Sequence, residues 1–258
     1  MRCLSVPYLD MIQKKRIDEL LVARGLAESL AAARALVMAG KVIAADQRVE
    51  KSSQLYAEDT PLRVKGESRF VSRAGEKLQG IIEDLDLGPE FADRIILDIG
   101  ASTGGFTQCC LEAGAARVIA VDVGTNQLAW SLRGHDRVEV FENTDIRNLP
   151  EDVGRSCDVV VADVSFNSLA RLMPDIRRVA PSARLFVLLV KPQFELMRHE
   201  VPDGGVVEDE VLRSRACELV SQAGKDVGLT LRVRKDARLA GRSGNREIFL
   251  IFDVATEA

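Results

Sequence analysis

Apolar positions recur at helical spacing at the front of the chain and become nearly continuous runs further on, which predicts two units of different architecture. Over Lys14–Ala23, Ile17, Leu20 and Leu21 share one face and the pattern stops at Gly25, as a short amphipathic helix would. Ser29 is placed to cap a second helix whose stripe is Ala33, Leu36 and Val37 and whose end is Gly40. Lys41–Ala44 and the segment from Leu55 to Val64 read as short strands, with a turn at Asp46–Gln47. A polar connector, "GESRFVSRAG" at 66–75, follows. Glu76 to Leu87 then puts Leu78, Ile81, Ile82 and Leu85 on one helical face.

Beyond Gly88–Pro89 the elements alternate. Strands are expected at 94–99, 117–121, 138–141, 157–162 and 183–190, with helices at 106–113, 128–132 and 169–179 between them. A long helix at 208–227 leads to strands at 229–234 and 247–252. Apolar strands alternating with helices mean a largely parallel sheet covered on both faces. Only a loop separates the last two strands, so the final one is expected to pair antiparallel. The fold class is α/β: a Rossmann-like, mostly parallel sheet preceded by a small α+β module. The divisions are an extension (1–11), the small module (12–67), a linker (68–75) and the core domain (76–258).

Composition narrows the classes of function. Apolar residues make up 47% and charged residues 29%, a globular balance, and no run reaches the ~20 apolar residues that span a bilayer. The Met1–Met11 stretch is mixed and lacks the apolar core of a signal peptide. Cys3, Cys109, Cys110, Cys157 and Cys217 show neither zinc-ligand spacing nor a disulfide framework, which points to a reducing compartment and a cytoplasmic protein. His135 and His199 are the only histidines, so no metal site is expected. The net charge of −4 hides an asymmetry: residues 12–77 hold 13 Lys/Arg against 9 Asp/Glu, and residues 78–258 hold 21 against 29. A footprint for nucleic acid would lie at the front, although the same excess fits an ordinary solvated surface.

Candidate chemistry begins where the first long strand ends, in "LDIGASTGGFT". Gly100, Gly104 and Gly105 let the backbone turn tightly and approach a ligand at a helix N-terminus. Asp122 ends the next strand, 22 residues beyond Gly100, where an acid accepts hydrogen bonds from ribose hydroxyls. The spacing is not G-x-G-x-x-G, and no phosphate-loop Lys-Ser/Thr pair is present. S-adenosylmethionine, which has no pyrophosphate, suits such a turn better than a dinucleotide does. These residues alone leave both open.

The front text, "KKRIDELLVARGLAES" followed by "ARALVMAGKV", resembles the S4 RNA-binding domain. That resemblance implies that Arg16, Arg24, Arg34 and Lys41 offer cations to phosphate oxygens, where they position RNA without specifying its sequence. Leu30 stands where the domain usually has an arginine, and Ala44–Asp46 replaces its glycine-containing turn, which implies a weaker grip. The stretches "FVSRAGEKL", "DIGASTGGFTQCCLEAGAARVIAVDVG", "QLAW", "DVSFNSL", "LVKPQFE" and "GGVV" resemble the hemolysin/TlyA family, over about residues 12–254. That family joins an S4 domain to an FtsJ-like ribose 2′-O-methyltransferase. It implies S-adenosylmethionine as cofactor, ribosomal RNA or ribosomal subunits as partner, and cytidine riboses as acceptors.

The Lys-Asp-Lys-Glu set of FtsJ-type enzymes falls on Lys77, Asp163, Lys191 and Glu247. For the cofactor the candidates are Gly100, Ser102, Thr103, Gly104, Asp122 and Asp145. Ser102 and Thr103 would meet its methionine end, Asp122 its ribose and Asp145 the adenine amino group. Asp145 sits where the family often has Asn, and Ala74 replaces a glycine usual before Lys77.

The four residues also make chemical sense on their own. Asp163 and Lys191 each follow a buried strand at the sheet edge where open α/β folds place ligands. A ribose hydroxyl is a poor nucleophile and needs a partner to orient it and stabilise the growing alkoxide. Lys191 is assigned that role, with Asp163 and Glu247 setting its position and charge, and Lys77 holding the target ribose or its phosphate. "DVSF" lacks the Asn/Asp-Pro-Pro-aromatic signature of amino-directed methyltransferases, so a hydroxyl acceptor fits better. Two other classes stay open: a membrane-active hemolysin, for which no strongly basic amphipathic stretch speaks, and an RNA-binding assembly protein with an inactive core. Neither DNA nor membrane is expected as a partner.

Overall fold

The computed structural model of the chain describes residues 14–27, 29–45, 47–64, 69–241 and 243–255. The extension at 1–11, Asp46 of the expected turn and residues 66–68 of the connector lie outside them. Packing divides the chain into two units, Met1–Glu67 and Ser68–Ala258.

The first unit runs β1 (Lys14–Arg16), α1 (Ile17–Ala23), α2 (Leu30–Met38), β2 (Val42–Ala44), β3 (Gln47–Arg48), β4 (Leu55–Ala57) and β5 (Leu62–Val64). The helix expected from Lys14 starts only at Ile17, because Lys14–Arg16 pairs antiparallel with β4. Its apolar stripe begins at Ile17, so the preceding turn has no face to bury as helix and takes the sheet bonds instead. Ser29 caps α2, its hydroxyl accepting from the Ala32 N–H at 3.2 Å. Gln47, expected in a turn, is in β3, which pairs with one edge of β2 while β5 pairs with the other. Ile17, Leu21, Ala33, Val37, Val42, Ala44 and Val49 close the small core.

The second unit begins with α3 (Arg73–Asp84) and α4 (Gly88–Phe91). It continues β6 (Ile95–Ile99), α5 (Gly105–Glu112), β7 (Arg117–Val121), α6 (Trp130–Arg133), β8 (Val138–Phe141) and α7 (Glu151–Gly154). Then come β9 (Val159–Ala162), α8 (Leu169–Val179), β10 (Leu185–Val190), α9 (Pro192–Glu195), α10 (Glu210–Asp226), β11 (Leu229–Asp236) and β12 (Ile248–Val254). The strands form one Rossmann-like mixed sheet in the order β11-β12-β10-β9-β6-β7-β8. The five strands from β10 to β8 are parallel. β12 is antiparallel to both β10 and β11. All six residues of β10 are buried, which is why it reads as an unbroken apolar run. Chain order reverses between β6 and β9, and a ligand crevice forms at such a switch point.

α3 starts three residues before the expected Glu76, so 73–75 belong to a helix and not to a linker. Its first turn packs against α5: a Cβ on Gly75 would lie 2.8 Å from the Gly105 carbonyl oxygen. The required glycine of "SRAG" is therefore Gly75, and Ala74 is tolerated beside it. Tertiary contact extends this helix beyond the reach of its own apolar stripe. Among the described residues, no helix is long and apolar enough to cross a membrane.

Candidate active site

A cavity of about 840 Å³ opens at the C-terminal edge of the parallel strands. Lys77, Asp163, Lys191 and Glu247 all line it. Asp163 and Lys191 are the first residues after β9 and β10, held in place by strands that are wholly buried. Lys191 Nζ lies 2.7 Å from Asp163 Oδ1 and donates to Ser165 Oγ at 2.7 Å. Lys77 projects from α3 beside the buried Leu78 and donates to Glu247 Oε2 at 2.5 Å. Both members are almost fully buried, Lys77 at 7% and Glu247 at 4% exposure. The set is thus two lysine–carboxylate pairs on one cavity. Glu247, expected to set Lys191, is bonded to Lys77 instead: it immediately precedes β12, which lies next to β10, and its carboxylate meets the lysine of α3.

The glycine turn lines the same cavity. Gly100 has φ +81, and a Cβ there would lie 2.9 Å from the Asp163 carbonyl oxygen, so the close approach of the backbone after β6 to that after β9 admits only glycine. The Asp122 carboxylate accepts from the Ser102 N–H at 2.8 Å and the Gly124 N–H at 2.7 Å. One donor on each oxygen leaves lone pairs for two hydroxyls of a ligand. Thr103 also lines the cavity. Gly104 does not: its N–H donates to the Ala101 carbonyl at 2.7 Å, and its Cα faces Leu132 and Leu128. Packing and the turn, with φ +96, account for that glycine.

Asp145 lines the cavity but is gripped by Arg147, whose Nε and backbone N–H donate to Oδ1 at 2.9 Å while Nη2 reaches Oδ2 at 2.5 Å. The Arg147 guanidinium holds this carboxyl below its ordinary value. Only Oδ2 keeps a lone pair for an adenine amino group.

The four cations expected on RNA belong to the first unit, and three of them have intramolecular partners. Arg16 donates to Asp18 with Nε and Nη2, at 2.9 and 2.8 Å, and Arg34 Nε reaches the same carboxylate at 2.9 Å. Asp18 is completely buried, and the two guanidiniums, Arg16 first, hold its carboxyl far below the usual range. Arg24 donates to the Thr60 carbonyl at 2.7 Å, and Lys41 is exposed just before β2. The side chains of Arg16 and Arg34 retain substantial exposure, 39% and 52%.

Several residues at the site escaped sequence reasoning. Phe166, inside the quoted "DVSFNSL", lines the cavity at 89% exposure with φ +64, and its ring lies 5.3 Å from that of Phe194. Only the backbone conformation turns that ring outward, and no periodicity reports it. Asp98 did leave a signal, an acid in the middle of an apolar strand. It is fully buried, accepts from Thr107 Oγ1 at 2.6 Å, and has an Oδ1 with no partner among the described residues.

Burial pushes the Asp98 carboxyl up to about 7. The folded protein keeps this proton to near neutrality, whereas an unfolded chain releases it near the ordinary 3.8. The native state therefore binds more protons between those values, and stability falls as pH rises through that window. Asp98→Asn, which cannot ionise, is expected to lack this component. Urea unfolding between pH 4 and 8 should show wild type losing stability relative to the variant as pH increases. Parallel profiles would refute the assignment.

A family model described as FtsJ-like methyltransferase matches residues 70–253. The 16S/23S rRNA (cytidine-2′-O)-methyltransferase TlyA of Mycobacterium tuberculosis is 43% identical over 250 residues, which cover 96% of this chain and 92% of that protein. Hemolysin A of Brachyspira hyodysenteriae is 34% identical, with 92% of this chain and 99% of that protein covered. Among solved structures, the one described as "Putative hemolysin from Streptococcus thermophilus" superposes with a TM-score of 0.71 at 35% identity, covering 95% of this chain and 90% of that one.

Proposed function

The chain belongs to the FtsJ-like methyltransferase family and is an S-adenosylmethionine-dependent methyltransferase, and from that premise we propose that it methylates the ribose 2′-hydroxyl of cytidine in ribosomal RNA. One observation carries the reading: two lysine–carboxylate pairs face one cavity together with the pinned Asp122 carboxylate. The residues fit the cofactor, since Gly100 brings the backbone close and Asp122 has free lone pairs for ribose hydroxyls. When bound, S-adenosylmethionine supplies an electrophilic methyl group on a sulfonium.

This chain's residues supply alignment and charge. Lys191, fixed by Asp163 and Ser165, presents an ammonium that orients the acceptor hydroxyl and stabilises negative charge growing on its oxygen. Lys77, set by Glu247, holds the acceptor ribose or its phosphate. The outward face of Phe166 offers a surface on which the acceptor base stacks. The first unit acts as an S4-type RNA-binding domain, with Arg16, Arg24, Arg34 and Lys41 meeting phosphates, and the protein works in the cytoplasm.

The test incubates the protein with radiolabelled S-adenosylmethionine and unmodified ribosomal subunits. Label is expected on a cytidine 2′-oxygen, read from nuclease digests. Label on a base, or none on either subunit, would overturn the proposal.

A further inference from the structure

Glu142, outside the four-residue set, is the first residue after β8 and gathers four donors. Its Oε1 accepts from the N–H groups of Gln127 at 2.8 Å and Leu128 at 3.0 Å. Its Oε2 accepts from the Asn126 N–H at 2.8 Å and from Arg133 Nη2 at 2.7 Å. Three successive backbone N–H groups converge on one anion, and Asn126 takes φ +54 to let them do so. The Glu142 side chain is only 12% exposed. The same segment is tied again by backbone bonds, Asn143 N–H to Gly124 O at 2.8 Å and Thr144 N–H to Asp122 O at 2.9 Å.

What this segment carries gives the arrangement its meaning. It leaves β7 at Asp122, and Gln127 lines the cavity. The Gln127 carboxamide oxygen accepts from Ser102 Oγ at 3.1 Å, which joins the loop to the glycine turn. Gly124 leaves the room in which the Gln127 amide lies beside Asp122. Arg133, together with the loop N–H groups, holds the Glu142 carboxyl down to about 2, so the anion persists at any working pH.

We propose that Glu142 is a positioning residue of the cofactor site, holding the 123–128 loop so that Gln127 and Asp122 are in place before S-adenosylmethionine arrives. The inference rests on the cofactor reading given above. A loop ordered in advance spares the binding step that entropy, and a neutral side chain at 142 would return it to the ligand.

Calorimetry with S-adenosylmethionine on wild type and Glu142→Gln tests this. The dissociation constant is expected to rise roughly 10- to 100-fold, with turnover at saturating cofactor little changed. Amide hydrogen exchange at residues 126–128 should quicken while the strands β6 and β7 keep their protection. Gln127→Ala should weaken binding less in the Glu142→Gln background than in wild type, since both act through one loop. Should Glu142→Gln fail to fold, Arg133→Met removes one donor and keeps the backbone bonds, and a rise of several-fold is then expected. Wild type that binds no S-adenosylmethionine removes both readings. Wild type that binds, with Glu142→Gln (or, where it cannot fold, Arg133→Met) binding equally, or full additivity in the double variant, removes only this one.

Discussion

Lys191→Met is expected to lower methyl transfer by roughly 10²- to 10⁴-fold, the range seen when a positioned acid–base or charge-stabilising group is lost. The methionine keeps the buried stem and deletes the one ammonium held by Asp163 and Ser165. Binding of S-adenosylmethionine should change little, because the Asp122 side of the cavity is untouched. Stability should fall as well, since Asp163 is left as an uncompensated carboxylate whose charge already acts on Asp98. The double variant Lys191→Met/Asp163→Asn separates the two effects: stability should return and activity should not. Lys191→Arg keeps the charge but spreads it over a planar fork that does not fit the same oxygens, so it should not restore turnover. Single-turnover transfer with excess enzyme is the measurement. Transfer by Lys191→Met at the wild-type rate would remove this residue from the chemistry.

Breaking the Lys77–Glu247 pair should cost about 3–5 kcal/mol of stability, as removal of one partner from a buried ion pair does. The side chains are 8% and 5% exposed, and the bond spans 170 residues of sequence. Glu247 Oε1 lies close against Gly241, in space that a Cβ there would fill. Lys77→Met leaves that carboxylate alone, and Glu247→Gln leaves the ammonium alone. Replacing both, as Lys77→Met/Glu247→Leu, should recover most of the stability because no charge remains to be desolvated. Activity should be lost in all three proteins. Urea unfolding gives the energies, and a single-variant loss below about 1 kcal/mol would mean that the pair behaves as a solvated surface bridge.

Both experiments address residues that could be picked out before any coordinates, though not in the pairing they adopt. The acid after "VVVA" and the lysine after "LFVLLV" are legible because each is the first charge beyond a strand buried on both faces. Such a strand stops where its run stops, so its end is marked in the text. Glu247 was equally visible as the opening of the last strand, but its partner was not. Which lysine it meets depends on β12 lying beside β10, a choice of sheet order that apolar periodicity does not encode. Arg16 and Arg34 show the same limit from the other side: the text offers them as cations for phosphate and does not show that they converge on the buried Asp18, itself unremarkable as text.

Period and apolar run length by themselves determined where the core strands and helices lie, because each reports a face withdrawn from water within one element. The glycine turn and the acid after the second strand were determined in the same local way. Only the tertiary structure decided that 14–16 is strand, that α3 begins at Arg73, that Gly104 serves packing, that Phe166 points outward, and that Glu142 gathers the 126–128 amides. Each of these follows from a contact between distant segments or from a backbone torsion. Their energies exist only once the sheet has brought those segments together.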